Sequence, residues 1–247
     1  MNRDRAELYR DMVAVEDHHW WYAGLWALVS AAIAAHVPAG RATRVLDAGC
    51  GTGGTIARLA RWRSELAVAA VDASALALDL AARRKAAGAL ACARVEALPF
   101  ADATFHVVTC LDVVYMEGVD DRGALAELYR VLQPGGLCVM NVPAYDWLRG
   151  AHDAAWATRH RYTVPEVRTL LRAAGFSIER VSYWNATLLP AVLAWRLISR
   201  GGERSDLRET PALVNTLLGA LLRIEASIAR GPGLPFGSSV FAVGVKP

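Results

Sequence analysis

The chain has no CxxC pair, no block of like charge, no internal repeat and no uninterrupted apolar run of about 18 residues, and each absence removes a class of function. Its four cysteines, Cys50, Cys92, Cys110 and Cys138, stand far apart in strand-like or motif contexts. Reduced, buried thiols are therefore expected, with neither disulfides nor a metal site. The 27 basic and 24 acidic residues nearly balance, and the arginines are scattered beside acids. That argues against a nucleic-acid partner and leaves a small ligand open. The opening MNRDRAELYRDM is too polar for a signal peptide, and no integral membrane segment is expected. These features point to a soluble, cytoplasmic protein.

What is present is alternation. Short apolar runs at 44–47, 66–72, 89–93, 106–111, 136–142, 178–184 and 239–245 are separated by segments of helical periodicity. This pattern predicts βαβ units, a parallel sheet and helices on both of its faces. Helix ends are legible too. Asp120-Asp121 starts a helix that continues through Ala124–Leu132 and stops at Gln133-Pro134-Gly135-Gly136. Thr163-Val164-Pro165-Glu166 reads as a capping box opening a helix that ends at Ala174-Gly175. The 247 residues fit one decorated α/β domain, with residues 1–40 as an N-terminal helical extension and 41–185 with 231–247 as the core. Residues 186–230 form a helical insertion of two apolar segments split at 201–206. In the second, Val214, Leu217, Leu218, Leu221 and Ile228 share a helix face, expected to be core or a homodimer contact.

The informative run is Val45-Leu46-Asp47-Ala48-Gly49-Cys50-Gly51-Thr52-Gly53-Gly54. Its glycines let a strand end turn sharply against a ligand before a helix opens, and Gly49, Gly51 and Gly54 also satisfy the dinucleotide pattern GxGxxG. Asp47 separates the two readings. A carboxylate there repels a pyrophosphate, whereas it suits a ligand with an ammonium and a sulfonium, as in S-adenosylmethionine (SAM). Asp72 closes the second apolar run 21 residues after Gly51, where a carboxylate grips ribose hydroxyls.

With VLDAGCGTGG, AVDAS (70–74), EALPFADATFHVV (96–108) and RVLQPGGLCVM (130–140), the chain resembles the class I SAM-dependent methyltransferases from about residue 44 to 142, with the last strand added. The resemblance implies a Rossmann-like, three-layer αβα sandwich around a seven-stranded, mostly parallel sheet whose last strand is antiparallel. It also implies that Asp47, Gly49, Cys50, Gly51 and Gly53 hold the methionine part, Asp72 the ribose and Ala73 the adenine. Arg94 stands where the family has an adenine-binding aspartate, so the backbone around Val95 and Glu96 is expected to serve, while Leu111 and Asp112 pass close to the sulfonium. More loosely, the chain resembles a bacterial subgroup with an HWWY-like N-terminal element and an Asn-Pro-Ala sequence, here Asn141-Val142-Pro143-Ala144. That subgroup carries a histidine near the position of Met116.

Methyl transfer from a sulfonium is an in-line displacement, so a base is needed only for a protonated acceptor. Candidates are His152, Asp112 and Tyr115. Acceptor contacts are expected from Asp153, Arg161, Tyr162, Trp184 and Asn185, with Arg161 suited to an anion. The octet Asp17-His18-His19-Trp20-Trp21-Tyr22-Ala23-Gly24 either packs a helix or covers the cofactor. As a lid, Trp21 and Tyr22 would face the sulfonium, with His18 or His19 toward the acceptor. The expected reaction yields a methylated small molecule, a secondary metabolite or a saccharide or lipid precursor, and S-adenosylhomocysteine (SAH). The alternatives are non-methylating chemistry of the cyclisation type and a non-catalytic SAM-binding partner.

Overall fold

A computed structural model describes residues 5–190 and 210–247. Its strands are β1 (Thr43–Ala48), β2 (Leu66–Asp72), β3 (Ala89–Cys92), β4 (Phe105–Leu111), β5 (Leu132–Pro143), β6 (Ser177–Trp184) and β7 (Ser239–Val245). They form one seven-stranded sheet in the order β3-β2-β1-β4-β5-β7-β6. The first five pair in parallel, and β7 slots antiparallel between β5 and β6. The apolar runs are nearly continuous because helices cover both faces, so both sides of each central strand are buried. The short edge strand β3 is the exception, and Cys92 on it is exposed, against the expectation of a buried thiol. All four cysteines are free.

The helices are α1 (Arg5–Val15), α2 (Trp20–His36), α3 (Gly54–Trp62), α4 (Ala75–Arg83), α5 (Asp121–Val131), α6 (Ala151–Ala155), α7 (Val164–Ala173) and α8 (Ala212–Arg230). Apolar residues of α5 and α7 fill one face of the sheet, among them Leu125, Leu128, Val167 and Leu171. Those of α2, α3 and α8 fill the other, among them Leu28, Ile33, Leu59 and Leu222. The predicted ends hold. The Asp120 side chain accepts from Arg122 N at 3.1 Å, Thr163 N donates to Glu166 Oε2 at 2.7 Å, and Gly175 turns left-handed at φ 96°.

In the late insertion, the first apolar segment is described only as far as residue 190, and the break at 201–206 lies outside the described residues. In α8 the Leu-rich face points outward, with Leu217 61% and Ile224 64% exposed, so of the two expectations for it, core or homodimer contact, the core is not what most of it joins; of the five residues named, Leu218 lines the cavity described below. The reason is close helix contact with α2. A Cβ on Gly24 would meet Leu222 Cβ at 2.8 Å, and Gly219 approaches Trp20 Cα. Backbones that near select the stripe of Gly219, Leu222, Ala226 and Ala229, so the bulkier leucines turn to solvent. By length and composition residues 212–229 would also suffice to cross a membrane, which a rule requiring an unbroken apolar run overlooks. Within the fold, Glu225 on this helix is buried and its carboxylate accepts from Ala186 N, Thr187 N and Thr187 Oγ1 at 3.0, 2.9 and 2.6 Å.

Candidate functional site

The glycine turn after β1 is bonded to the end of β2. Gly49 N and Cys50 N donate to Val71 O at 2.8 and 2.9 Å, while Gly51 N and Ser74 N each donate to the Asp72 carboxylate at 2.8 Å. Gly49 is obligatory: its φ is 82°, and a Cβ would lie 2.2 Å from Val113 Cγ2. Asp47, 2% exposed, accepts from Thr109 Oγ1 at 2.7 Å. Burial pushes its carboxyl up to about 7; Thr109 opposes this, and the charges of Asp72 and Glu16 add to it.

Because the folded-state value lies above the unfolded one, this group stabilises the free protein fully below about pH 4 and loses that contribution as pH rises through about 7. Asp47→Asn is therefore expected to stabilise the ligand-free protein at pH 8, on the order of 2–4 kcal/mol, with the gain shrinking toward pH 5. Urea unfolding at several pH values measures it, and a gain independent of pH would refute the assignment.

A cavity of about 1240 Å³ opens over the strand ends where this turn lies, the end of a parallel sheet at which ligands bind. At one end are Asp47, Gly49, Gly51, Asp72, Val95 and Glu96, with Ala73, Cys50 and Leu111 beside them; at the other are Asp112, Tyr115, Pro143, Asn185 and Ser238. The N-terminal extension roofs it through Tyr9, Met12, His19, Trp20, Trp21 and Tyr22. Burial and the negative charge of Asp72 raise the Tyr9 phenol above its ordinary range, as befits α1 lying over the Asp72 end. Across the mouth, the Tyr9 ring meets Trp156 edge-on at 5.7 Å.

Two core arginines clamp this roof. Arg84, just after α4, donates to both Asp17 oxygens at 3.0 and 2.9 Å, to Glu16 and to Thr52 O at 2.8 Å. Arg58 on α3 donates to the carbonyls of Glu16, Asp17 and Tyr22 at 2.6, 3.2 and 3.1 Å. Glu16 is buried, takes Thr52 Oγ1 at 2.5 Å, and lies where a Cβ on Gly54 would be. Burial raises its carboxyl, while Thr52 and Arg84 restrain the rise. From α8, Asn215 accepts from Trp20 N at 2.7 Å and donates to His18 O at 2.6 Å. The second glycine pair of the motif thus seats the N-terminal acids as well as opening α3.

At the other end, Asp112 follows β4 in the left-handed region, φ 60°. Its carboxylate accepts both contacts of Asn141 Nδ2, at 2.9 and 3.1 Å. Asn141 Oδ1 in turn accepts from Trp184 Nε1 at 2.7 Å, and the Trp184 ring packs 5.6 Å from Trp21. Burial pushes the Asp112 carboxyl up to about 7, against the pull of Asn141 and Arg161. Burial, and then Asp112, drives the Tyr115 phenol well above its usual range. Burial, then His18, pushes His19 down to about 4. Its neutral Nδ1 takes Trp21 N at 3.3 Å and caps α2.

Residues 45–136 match the family model described as a methyltransferase domain, and the strand order and glycine turn above are the framework it spans. Over that span, residues 45–136, the chain carries a methyltransferase domain. A malonyl-[acyl-carrier protein] O-methyltransferase of Enterobacter lignolyticus is 44% identical over 119 residues, covering 47% of this chain and 45% of that protein. The chain spans about half the length of the curated relatives it matches. Among solved structures, geranyl diphosphate C-methyltransferase of Streptomyces coelicolor, in complex with SAH, superposes with TM-score 0.59 at 18% identity over 89% of this chain and 76% of that one. The [4+2]-cyclase SpnF superposes with TM-score 0.58 at 19% identity over 90% and 81%. Both share the fold.

Most of the residues singled out from the sequence meet in the cavity of this methyltransferase domain, His152, Asp153 and Arg161 included. Four do not. His18 faces away, its carbonyl held by Asn215. Gly53 caps α3 at φ 85° against Ala81 and Arg84. Tyr162 is buried with its hydroxyl donating to Asp121 Oδ2 at 2.7 Å. Trp184 is a core residue behind the wall, 1% exposed. Arg161, in the cavity wall, is held in place: Nε and Nη2 donate to Asp153 at 2.7 and 3.0 Å and Nη1 to Ala144 O at 3.1 Å, all buried. Arg94 also lines the cavity, where it donates to Glu96 Oε1 and Gly118 O at 2.7 and 2.5 Å. Glu16, Trp156 and Ser238 carry no signal in the sequence, while Asn141 stands out only as the first residue of the Asn-Pro-Ala-like element.

Proposed function

We propose that the protein transfers a methyl group from SAM to a small acceptor bound between Asp112 and Asn185. The observation that carries this reading is the single cavity joining the Asp47, Gly51 and Asp72 end to the Asp112 end beneath the N-terminal roof. The donor set fits the cofactor: carboxylates for an ammonium and for ribose hydroxyls, glycine backbone for close approach, and aromatic rings over a cation. SAM would supply an electrophilic methyl group whose C–S bond breaks toward sulfur as the acceptor lone pair forms the new bond.

What the chain contributes is position, dryness and a proton sink. Asp112 takes the acceptor's proton and shares it with no neighbouring acid, since its contacts come from the Asn141 amide. Trp21 and Tyr22 exclude water, which raises the strength of every charge contact inside. The acceptor is a biosynthetic small molecule, the class that the names of the matched relatives suggest.

Calorimetry with SAM, SAH and NADH, followed by product analysis, tests the reading. SAM binding with SAH released stoichiometrically with methylated product supports it; binding without SAH release favours cyclisation-type chemistry or a regulator. Asp72→Asn is expected to weaken SAM about 10- to 100-fold, the loss of a charged hydrogen bond.

A further inference from the structure

We propose that Trp184 and Asn141 are positioning residues for methyl transfer, which act through Asp112 and touch neither acceptor nor cofactor. The inference rests on the reading of Asp112 as the base given above. Neither residue lines the cavity, and both are buried, Trp184 at 1% and Asn141 at 0% exposure. Asp112 is nonetheless tied to Asn141 by backbone and side chain. Its N–H donates to Asn141 O at 2.9 Å, and its carboxylate oxygens take Asn141 Nδ2 at 2.9 and 3.1 Å. Those bonds hold the aspartate at φ 60°, a sparsely populated backbone region that persists where the surroundings fix it.

The indole completes the chain. Trp184 Nε1 donates to Asn141 Oδ1 at 2.7 Å, and a proton given to an amide oxygen draws electrons from the amide nitrogen, so the N–H on the other side becomes a better donor. The Asp112 carboxylate is thereby stabilised more than by a lone amide. The ring itself is held in the core of that sheet face and lies 5.6 Å from Trp21 of the roof. Without the indole N–H, Asn141 Oδ1 would stay buried and lose its donor, a cost that draws the amide away from Asp112. The other groups facing Asp112 leave this effect readable. Arg161 lowers its carboxyl, while Tyr22 on α2, Tyr115 and Cys110 are each pushed above their ordinary ranges and stay uncharged near neutral pH. Removing the Trp184 donor should therefore raise the proton affinity of Asp112, which then serves as a base only at higher pH.

The test follows protonation by NMR in the whole protein saturated with SAH, with isotope-labelled aspartate carboxyl carbons and indole nitrogens. Asp112→Asn identifies the Asp112 signal and Trp184→Phe the indole one. In wild type the Trp184 indole N–H should shift with pH at the midpoint of Asp112, and Asp112→Asn should abolish that shift. Trp184→Phe should raise the Asp112 midpoint by about half a pH unit or more, and Asn141→Val by about one unit or more. Trp26→Phe, which removes an indole packed on Trp62, should leave it in place. An indole signal indifferent to Asp112, a folded Trp184→Phe protein with an unmoved midpoint, or an equal rise in Trp26→Phe would each overturn the inference while SAH binding stands. If SAH itself does not bind, the methyl-transfer reading falls, and the role assigned here with it.

Discussion

Replacing Asp112 with asparagine is expected to lower kcat by roughly 10²- to 10⁴-fold and to erase the low-pH limb of the acceptor rate profile. Asparagine fits the left-handed backbone at this position, φ 60°, so the fold should survive. The sign follows from the carboxyl's upward shift to about 7: below that pH the group is protonated and cannot take a proton, above it the base is ready. In wild type, kcat/KM for the acceptor at saturating SAM should therefore rise with pH along a one-proton limb and then level. With SAM bound, its positive charge favours the carboxylate, so the limb should fall at or below the value of the free protein. A profile unchanged in the variant would assign the proton to another group, with His152 next to be tested.

The second large effect concerns the roof. Arg84→Ala removes the partner of two acids, one of them the buried Glu16. Leaving a buried charge unpaired costs about 3–5 kcal/mol. Stability in urea should fall by that amount, and SAM affinity by more than tenfold, because the acids that Arg84 holds seat α1 and α2 over the nucleoside end. Adding Glu16→Gln should restore part of the stability by removing the orphaned charge without restoring the clamp. Unchanged SAM affinity in a folded Arg84→Ala protein would show that the roof is scaffold only.

Much of this architecture was legible because its causes are local. Apolar runs bounded by turn residues gave all seven strands, and the Asp47 to Gly54 stretch gave the cofactor end, since a tight turn and a carboxylate at a strand end impose their own residue types. The missed features depend on partners far along the chain. Arg84 and Glu16 are 68 residues apart, and nothing near either names the other. Arg161 is suited to an anion by its charge alone, and the sequence does not show that Asp153 is the acid beside it. Periodicity showed that α8 is amphipathic; it could not show that contact between α8 and α2 would favour small residues and turn the leucines out. Tyr162 and Trp184 sit at strand and helix borders where wall and core alternate, and a shift of one position decides between them.

The pair Trp184 and Asn141 has a further consequence. An asparagine amide can present either its oxygen or its nitrogen to a neighbour, and a half-turn exchanges them. The indole N–H can only give a proton, and at 2.7 Å it pins the Asn141 oxygen toward itself. The amide nitrogen is then obliged to face Asp112. One donor-only ring in the core thereby fixes the direction of the whole chain of bonds and guarantees that the carboxylate meets a proton donor, never a competing lone pair.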